Sequence, residues 1–174
     1  MDLRKKISPN QKSIAGEFAV LSQLALRGIN ANFTLGNTKR VDILASNPNS
    51  GNLYRIEVKT TTTTSSKSGV WGSAYHWMMN KAHENINDDR LFFVFLHLNI
   101  TGKDPRFFIV PSKVVGKYCY EEHVYWLEHK NRLSDPRFQD TERRTFRIGL
   151  EKDGHYSVST PKASQYEDSW EQLD

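Results

Sequence analysis

This chain has one cysteine, Cys119, so an internal disulfide is excluded. No apolar run approaches the roughly 20 residues that a membrane-spanning helix needs. The basic start, Met1-Asp2-Leu3-Arg4-Lys5-Lys6, is not followed by the apolar stretch of a secretory signal. A cytoplasmic, reducing location is therefore expected. Neither GxxxxGK[ST] nor GxGxxG occurs, which removes the phosphate-cradling loops, and no nucleophile-elbow or Ser-His-Asp order is visible. Cys119 and His123 are four apart with His129 beyond them, but a structural zinc site needs two more ligands than that pair supplies. Positive charge is missing from residues 164–174, which carry Glu167, Asp168, Glu171 and Asp174. The remainder holds 24 basic against 16 acidic residues, a net of +8 against +4 for the whole chain. A basic body suits a polyanionic ligand, and a solvated charged surface has the same composition.

What is present reads as an α/β protein. Its 174 residues are expected to form a single domain, with a core over about 10–130, an extension over 131–163 and an acidic tail over 164–174. Residues 10–28 form an amphipathic helix, with Ile14, Glu17, Leu21 and Leu24 on one stripe and Gly28 as its stop. Strands are expected over 31–35, 39–45 and 53–60, the last two joined by the turn-rich Ser46-Asn47-Pro48-Asn49-Ser50-Gly51-Asn52. A threonine-serine loop follows, then a helix over 75–86, a buried strand over 91–98 and a strand over 107–110. Ser112 opens a helix to about residue 130, and Thr145–Leu150 with Tyr156–Ser159 make a hairpin around Asp153-Gly154. This order implies a mixed β-sheet flanked by α-helices, with a C-terminal helix and hairpin extension.

Two of these strands carry chemistry. Side chains alternate along a strand, so Val41 and Ile43 point one way and Asp42 the other, while Ile56 and Val58 oppose Glu57 and Lys59. If the apolar sides share the core, Asp42, Glu57 and Lys59 share the opposite face. A tight turn centred on Asn49-Ser50 sets a register in which Asp42 lies across from Glu57. Two carboxylates about 4 Å apart repel by ~1 kcal/mol in water and ~4 kcal/mol at an effective dielectric near 20. A hard divalent cation offsets that repulsion, and Mg²⁺ takes one or two carboxylates together with water and substrate phosphate. Lys59 is placed to orient an attacking water and neutralise developing charge. Glu17, on the apolar stripe of the first helix, needs a partner: a metal or its water is one, and Lys12 or Arg27 is another.

Glu17 on the first helix, then Val41-Asp42, then Glu57-Val58-Lys59 resembles the PD-(D/E)XK nuclease superfamily, in the branch of Holliday-junction resolvases and restriction-type endonucleases. The motif resemblance covers about residues 12–62 and extends loosely to about 115. It implies a restriction-endonuclease-like fold in which Asp42, Glu57 and the Val58 carbonyl bind Mg²⁺, with Mn²⁺ as a substitute. It further implies that Lys59 assists the water and that Glu17 contacts the metal or its water. Val41 stands where the family name has proline, which leaves the ligand set intact. The expected activity is metal-dependent hydrolysis of phosphodiester bonds in DNA, with RNA the weaker candidate. The alternative is a catalytically inactive nuclease-fold module that binds nucleic acid. Arg40, Arg55, Lys67 and Lys81 are the candidate phosphate contacts. Trp71 and Trp77 are candidates either for base stacking or for the core. Two-fold DNA substrates would favour a homodimer.

Overall fold

The apolar side chains are densest in Leu91–His97, every residue of which is buried, and this strand is an interior strand of a five-stranded sheet. In this computed structural model, which describes residues 7–34, 41–63, 65–99, 104–129, 140–151 and 156–174, the contacts divide the chain into two compact units. The first contains α1 (Pro9–Leu26), β1 (Asn30–Phe33), β2 (Ile43–Ser46), β3 (Leu53–Thr61), β6 (Leu91–His97), β7 (Arg106–Pro111) and the C-terminal residues from Tyr166. The second contains β4 (Ser66–Ser68), β5 (Gly72–Asn80), α2 (Ser112–Glu128), β8 (Arg143–Gly149) and the single turn α3 (Ala163–Tyr166), whose last residue falls in the first unit.

The sheet of the first unit runs β1-β2-β3-β6-β7. Among these strands only β3 and β6 pair in parallel, and both are interior strands of the sheet. The mixed sheet and its helix match the expected α/β class. The β2–β3 hairpin has the register expected from its turn: Ile43 faces Ile56, Leu44 faces Arg55 and Ala45 faces Tyr54. Ile43, Ala45, Ile56 and Val58 enter one apolar cluster with Val20 and Leu24 of α1, so alternation leaves Leu44, Arg55, Glu57 and Lys59 on the other face.

Helix α1 starts with Ser8 and Gln11 in a reciprocal capping box and with Pro9 at its first position. Its buried stripe is Gly16, Val20 and Leu24, with Ser13, Glu17 and Leu21 at the edge. Ile14, expected on that stripe, is 43% exposed. The i, i+4 row through Gly16 wins because a glycine lets the helix backbone come closer to the sheet than Ile14 would. A Cβ on Gly16 would sit 1.8 Å from Thr60 Oγ1. Gly16→Ala is therefore expected to cost at least ~1–3 kcal/mol, the usual range for overpacking, measured by chemical denaturation. Adding Thr60→Ala should restore most of the loss.

The acidic C-terminal segment folds into this unit. Trp170 and Leu173 join the apolar cluster, and the side chain of Trp170 packs on Phe107 at 5.6 Å between ring centroids. Arg27 covers the indole at 4.7 Å. Glu167 forms a two-pronged ion pair with Arg106 at 2.6 and 2.7 Å.

In the second unit two expectations are corrected together. Residues 75–86 do not form a helix: Gly72–Asn80 is β5, followed by one 3-10 turn at Lys81–His83. Residues 156–159 form no strand, and Asp153-Gly154 lies outside the described residues. The partner of β8 is β5, with Trp77 opposite Phe146 and Met79 opposite Arg144. The β-forming aromatics of Tyr75-His76-Trp77 outweigh local helical spacing because Trp77, Phe146 and Ile148 bury together on one face. Helix α2 covers that face, with Tyr118 edge-on to Phe146 at 5.3 Å. Ser112 does open this helix, but its hydroxyl is tied to the backbone of Asp88, accepting at 3.0 Å and donating at 2.8 Å.

Candidate active site

The candidate site begins where β2 and β3 part. Asp42 precedes β2 and holds it to β3 by its backbone, donating to the Ile56 carbonyl at 2.9 Å. Its side chain does the same from the other end: Oδ2 accepts the Val58 amide hydrogen at 2.7 Å, a charge-assisted bond. Asp42 is thus fixed against the backbone of Glu57-Val58-Lys59. Glu57 is buried, and Lys59 Nζ lies 2.5 Å from Glu57 Oε1 on the same strand face. Glu17 comes from α1, brought in by the Gly16–Thr60 approach, and Ser13 Oγ donates to its Oε1 at 3.0 Å. Arg27, an alternative partner for Glu17, instead donates to Gln23.

Electrostatics ties the four residues together. The carboxyl of Asp42 is held above its ordinary range, first by burial and then by the negative charges of Glu17 and Glu57. The Val58 amide and the Lys59 ammonium pull the other way without prevailing. Three carboxylates against one ammonium leave an excess of negative charge in a partly buried place, which a hard cation would relieve. Among the described residues no three His, Cys, Asp or Glu side chains converge closely enough to hold an ion by themselves. The donor set fits a cation that takes two carboxylates and completes its shell with a backbone carbonyl, water and substrate.

A raised carboxyl pKa has a definite sign in stability. The folded chain keeps the Asp42 proton to higher pH than the unfolded chain does, so stability falls as pH rises from the ordinary value of 3.8 through the raised one. Asp42→Asn keeps an acceptor for the Val58 amide and removes the charge. In chelator it should melt at a higher temperature than the wild type at pH 7, with the difference shrinking as pH falls toward about 4. If the site takes a divalent cation, Mg²⁺ raises the wild-type melting temperature and leaves that of the variant unchanged.

The candidate phosphate contacts are dispersed. Arg55 is exposed on β3, on the Glu57 face. Lys81 is exposed in the second unit, 3.4 Å from Asp140. Arg40 and the side chain of Lys67 lie outside the described residues. Trp77 belongs to the core, whereas Trp71 is only partly buried. Burial pushes the Cys119 thiol up to about 12, so it stays protonated. Gly16 and Ser13, which position Glu17, escaped the motif reading. The signal available for them was a glycine in the interior of an otherwise regular helix.

Over this same architecture the chain superposes on a bacterial homing endonuclease with a TM-score of 0.56, at 15% identity, covering 97% of this chain and 92% of that one. The chain has an endonuclease-like fold. No protein-family model and no curated protein matches the sequence. No helix among the described residues is long and apolar enough to cross a membrane.

Proposed function

We propose that the protein is a divalent-metal-dependent endonuclease of the PD-(D/E)XK type that hydrolyses phosphodiester bonds in DNA. The observation that carries this reading is the gathering of Asp42, Glu57, Lys59 and Glu17 at the β2–β3 junction of an endonuclease-like fold. Asp42, Glu57 and the Val58 carbonyl would hold Mg²⁺, or Mn²⁺ in its place. Such an ion supplies a lowered pKa for coordinated water and offsets charge on the phosphoryl oxygens. Lys59, now paired with Glu57, would orient the attacking water and face the developing negative charge. Glu17, steadied by Ser13, would accept a hydrogen bond from water on the helix side. Arg40, Arg55, Lys67 and Lys81 would contact phosphates and set the register of the strand without reading its sequence. Duplex cleavage by this chain would use a homodimer, one site per strand, in the cytoplasm.

The test is to incubate the purified chain with plasmid, linear and branched DNA in Mg²⁺, Mn²⁺ or chelator. Cleavage in either metal and none in chelator is expected. Salt-sensitive binding with no cleavage in any metal would instead make it a binding module on the same fold.

A further inference from the structure

The second unit contains a pocket that the proposed chemistry does not use. Pairing of β5 with β8 sets His76 opposite Arg147, Met78 opposite Thr145 and Asn80 opposite Arg143. These residues share one sheet face, while Trp77, Phe146 and Ile148 fill the other. Beside them lies a cavity of about 410 Å³, lined by Met78, Arg143, Thr145 and Arg147 of the sheet and, among others, by Trp71 and by Trp126 of α2. Its volume falls within the roughly 300–1,000 Å³ of small-ligand sites.

The lining joins flat aromatic surface to cationic and hydroxyl groups. Arg147 lies over the Trp71 ring at 4.1 Å and is paired with Glu122, which fixes both the guanidinium and the indole. Trp126 stacks on His123 at 5.9 Å between centroids and 13° between planes. Arg144 is consumed structurally, its side chain 1% exposed and paired with Glu84. Arg143 is exposed and lines the opening, next to the hydroxyl-bearing Thr141 and Thr145. Indole faces accept nucleobases of any sequence, and a guanidinium with neighbouring hydroxyls suits a phosphate. Bases inside a duplex are covered by their own neighbours and cannot reach a recessed pocket without leaving the stack.

We infer that this pocket receives one unpaired nucleotide of a nucleic-acid strand, its base against the Trp71 and Trp126 side and its phosphate at Arg143. The inference rests on the reading that the chain acts on nucleic acid, and it adds a preference for unpaired over fully paired substrate.

The test is a binding measurement on the full chain in chelator, so that cleavage plays no part. Fluorescein-labelled oligothymidylate of about ten residues serves as the probe for anisotropy. Unlabelled single strand, blunt duplex of equal length and thymidine monophosphate are the competitors. The single strand should compete at least about tenfold better than either of the others. Trp126→Ala and Arg143→Glu should each weaken probe binding about tenfold or more, and Arg143→Lys should retain most of it. Circular dichroism verifies that each variant is folded, and the exposed Arg143 serves as the site where folding is least at risk. Equal competition by duplex or by the monophosphate overturns the inference, as does wild-type binding by either Trp126→Ala or Arg143→Glu. Those failures leave metal-dependent cleavage intact, whereas loss of cleavage with intact, selective binding strikes only at the nuclease reading.

Discussion

Lys59→Ala should cut DNA about 10²–10³-fold more slowly than the wild type, the usual cost of removing one preorganised group that meets developing charge. Asp42→Asn and Glu57→Gln should lose at least as much, because each takes away a carboxylate from the proposed cation's donor set while leaving shape nearly unchanged. The geometry distinguishes the three. Asp42 is held by the Val58 amide, so its asparagine variant can keep the backbone contact and lose only charge. Glu57 is buried beside Lys59, so its glutamine variant leaves the ammonium without its anionic partner. The pattern to look for is a fall in kcat at nearly constant DNA affinity in chelator, measured by single-turnover cleavage alongside anisotropy. Equal rates for wild type and Lys59→Ala would remove Lys59 from the chemistry.

Trp170→Ala should destabilise the first unit by ~3–5 kcal/mol, as large-to-small changes at buried aromatics do. The indole is 4% exposed, packed on Phe107 and capped by Arg27, and it belongs to the cluster that also holds Val20 and Leu24 of α1. Its neighbourhood is anchored further by Asn47 Nδ2, which donates to the Leu173 carbonyl at 3.0 Å, and by Tyr54, whose hydroxyl donates to the Asp174 carbonyl at 3.2 Å. Urea unfolding should show a lower midpoint at unchanged slope. A loss below about 1 kcal/mol would mean that the segment from Tyr166 contributes little to this core.

The shared face of the candidate residues was legible because strand alternation is a local rule. Ile43, Ile56 and Val58 were recognisably apolar, so the opposite side of Asp42, Glu57 and Lys59 followed, and the short turn around Asn49-Ser50 fixed the observed register. The long-range choices were less visible. Tyr75 to Asn80 has helix-compatible spacing, and only the tertiary partner Phe146, some seventy positions away, makes it a strand. Reading that segment as a helix also hid the pocket, since Met78, Thr145 and Arg147 share a face only in the sheet. The acidic residues of 164–174 drew attention to charge, while the two residues that decide its fate, Trp170 and Leu173, act through packing. Ile14 was assigned to the buried stripe by hydrophobicity, whereas closeness of approach selected Gly16.

The central claim is that Asp42 and Glu57 hold a divalent cation. A crystal of the protein soaked in Mn²⁺ and measured for anomalous scattering tests it most directly. One peak within about 2.0–2.6 Å of Asp42, Glu57 and the Val58 carbonyl is predicted, absent from Asp42→Asn crystals soaked in the same way. Wild-type crystals with no peak there, from protein that cuts DNA in Mn²⁺, would contradict it.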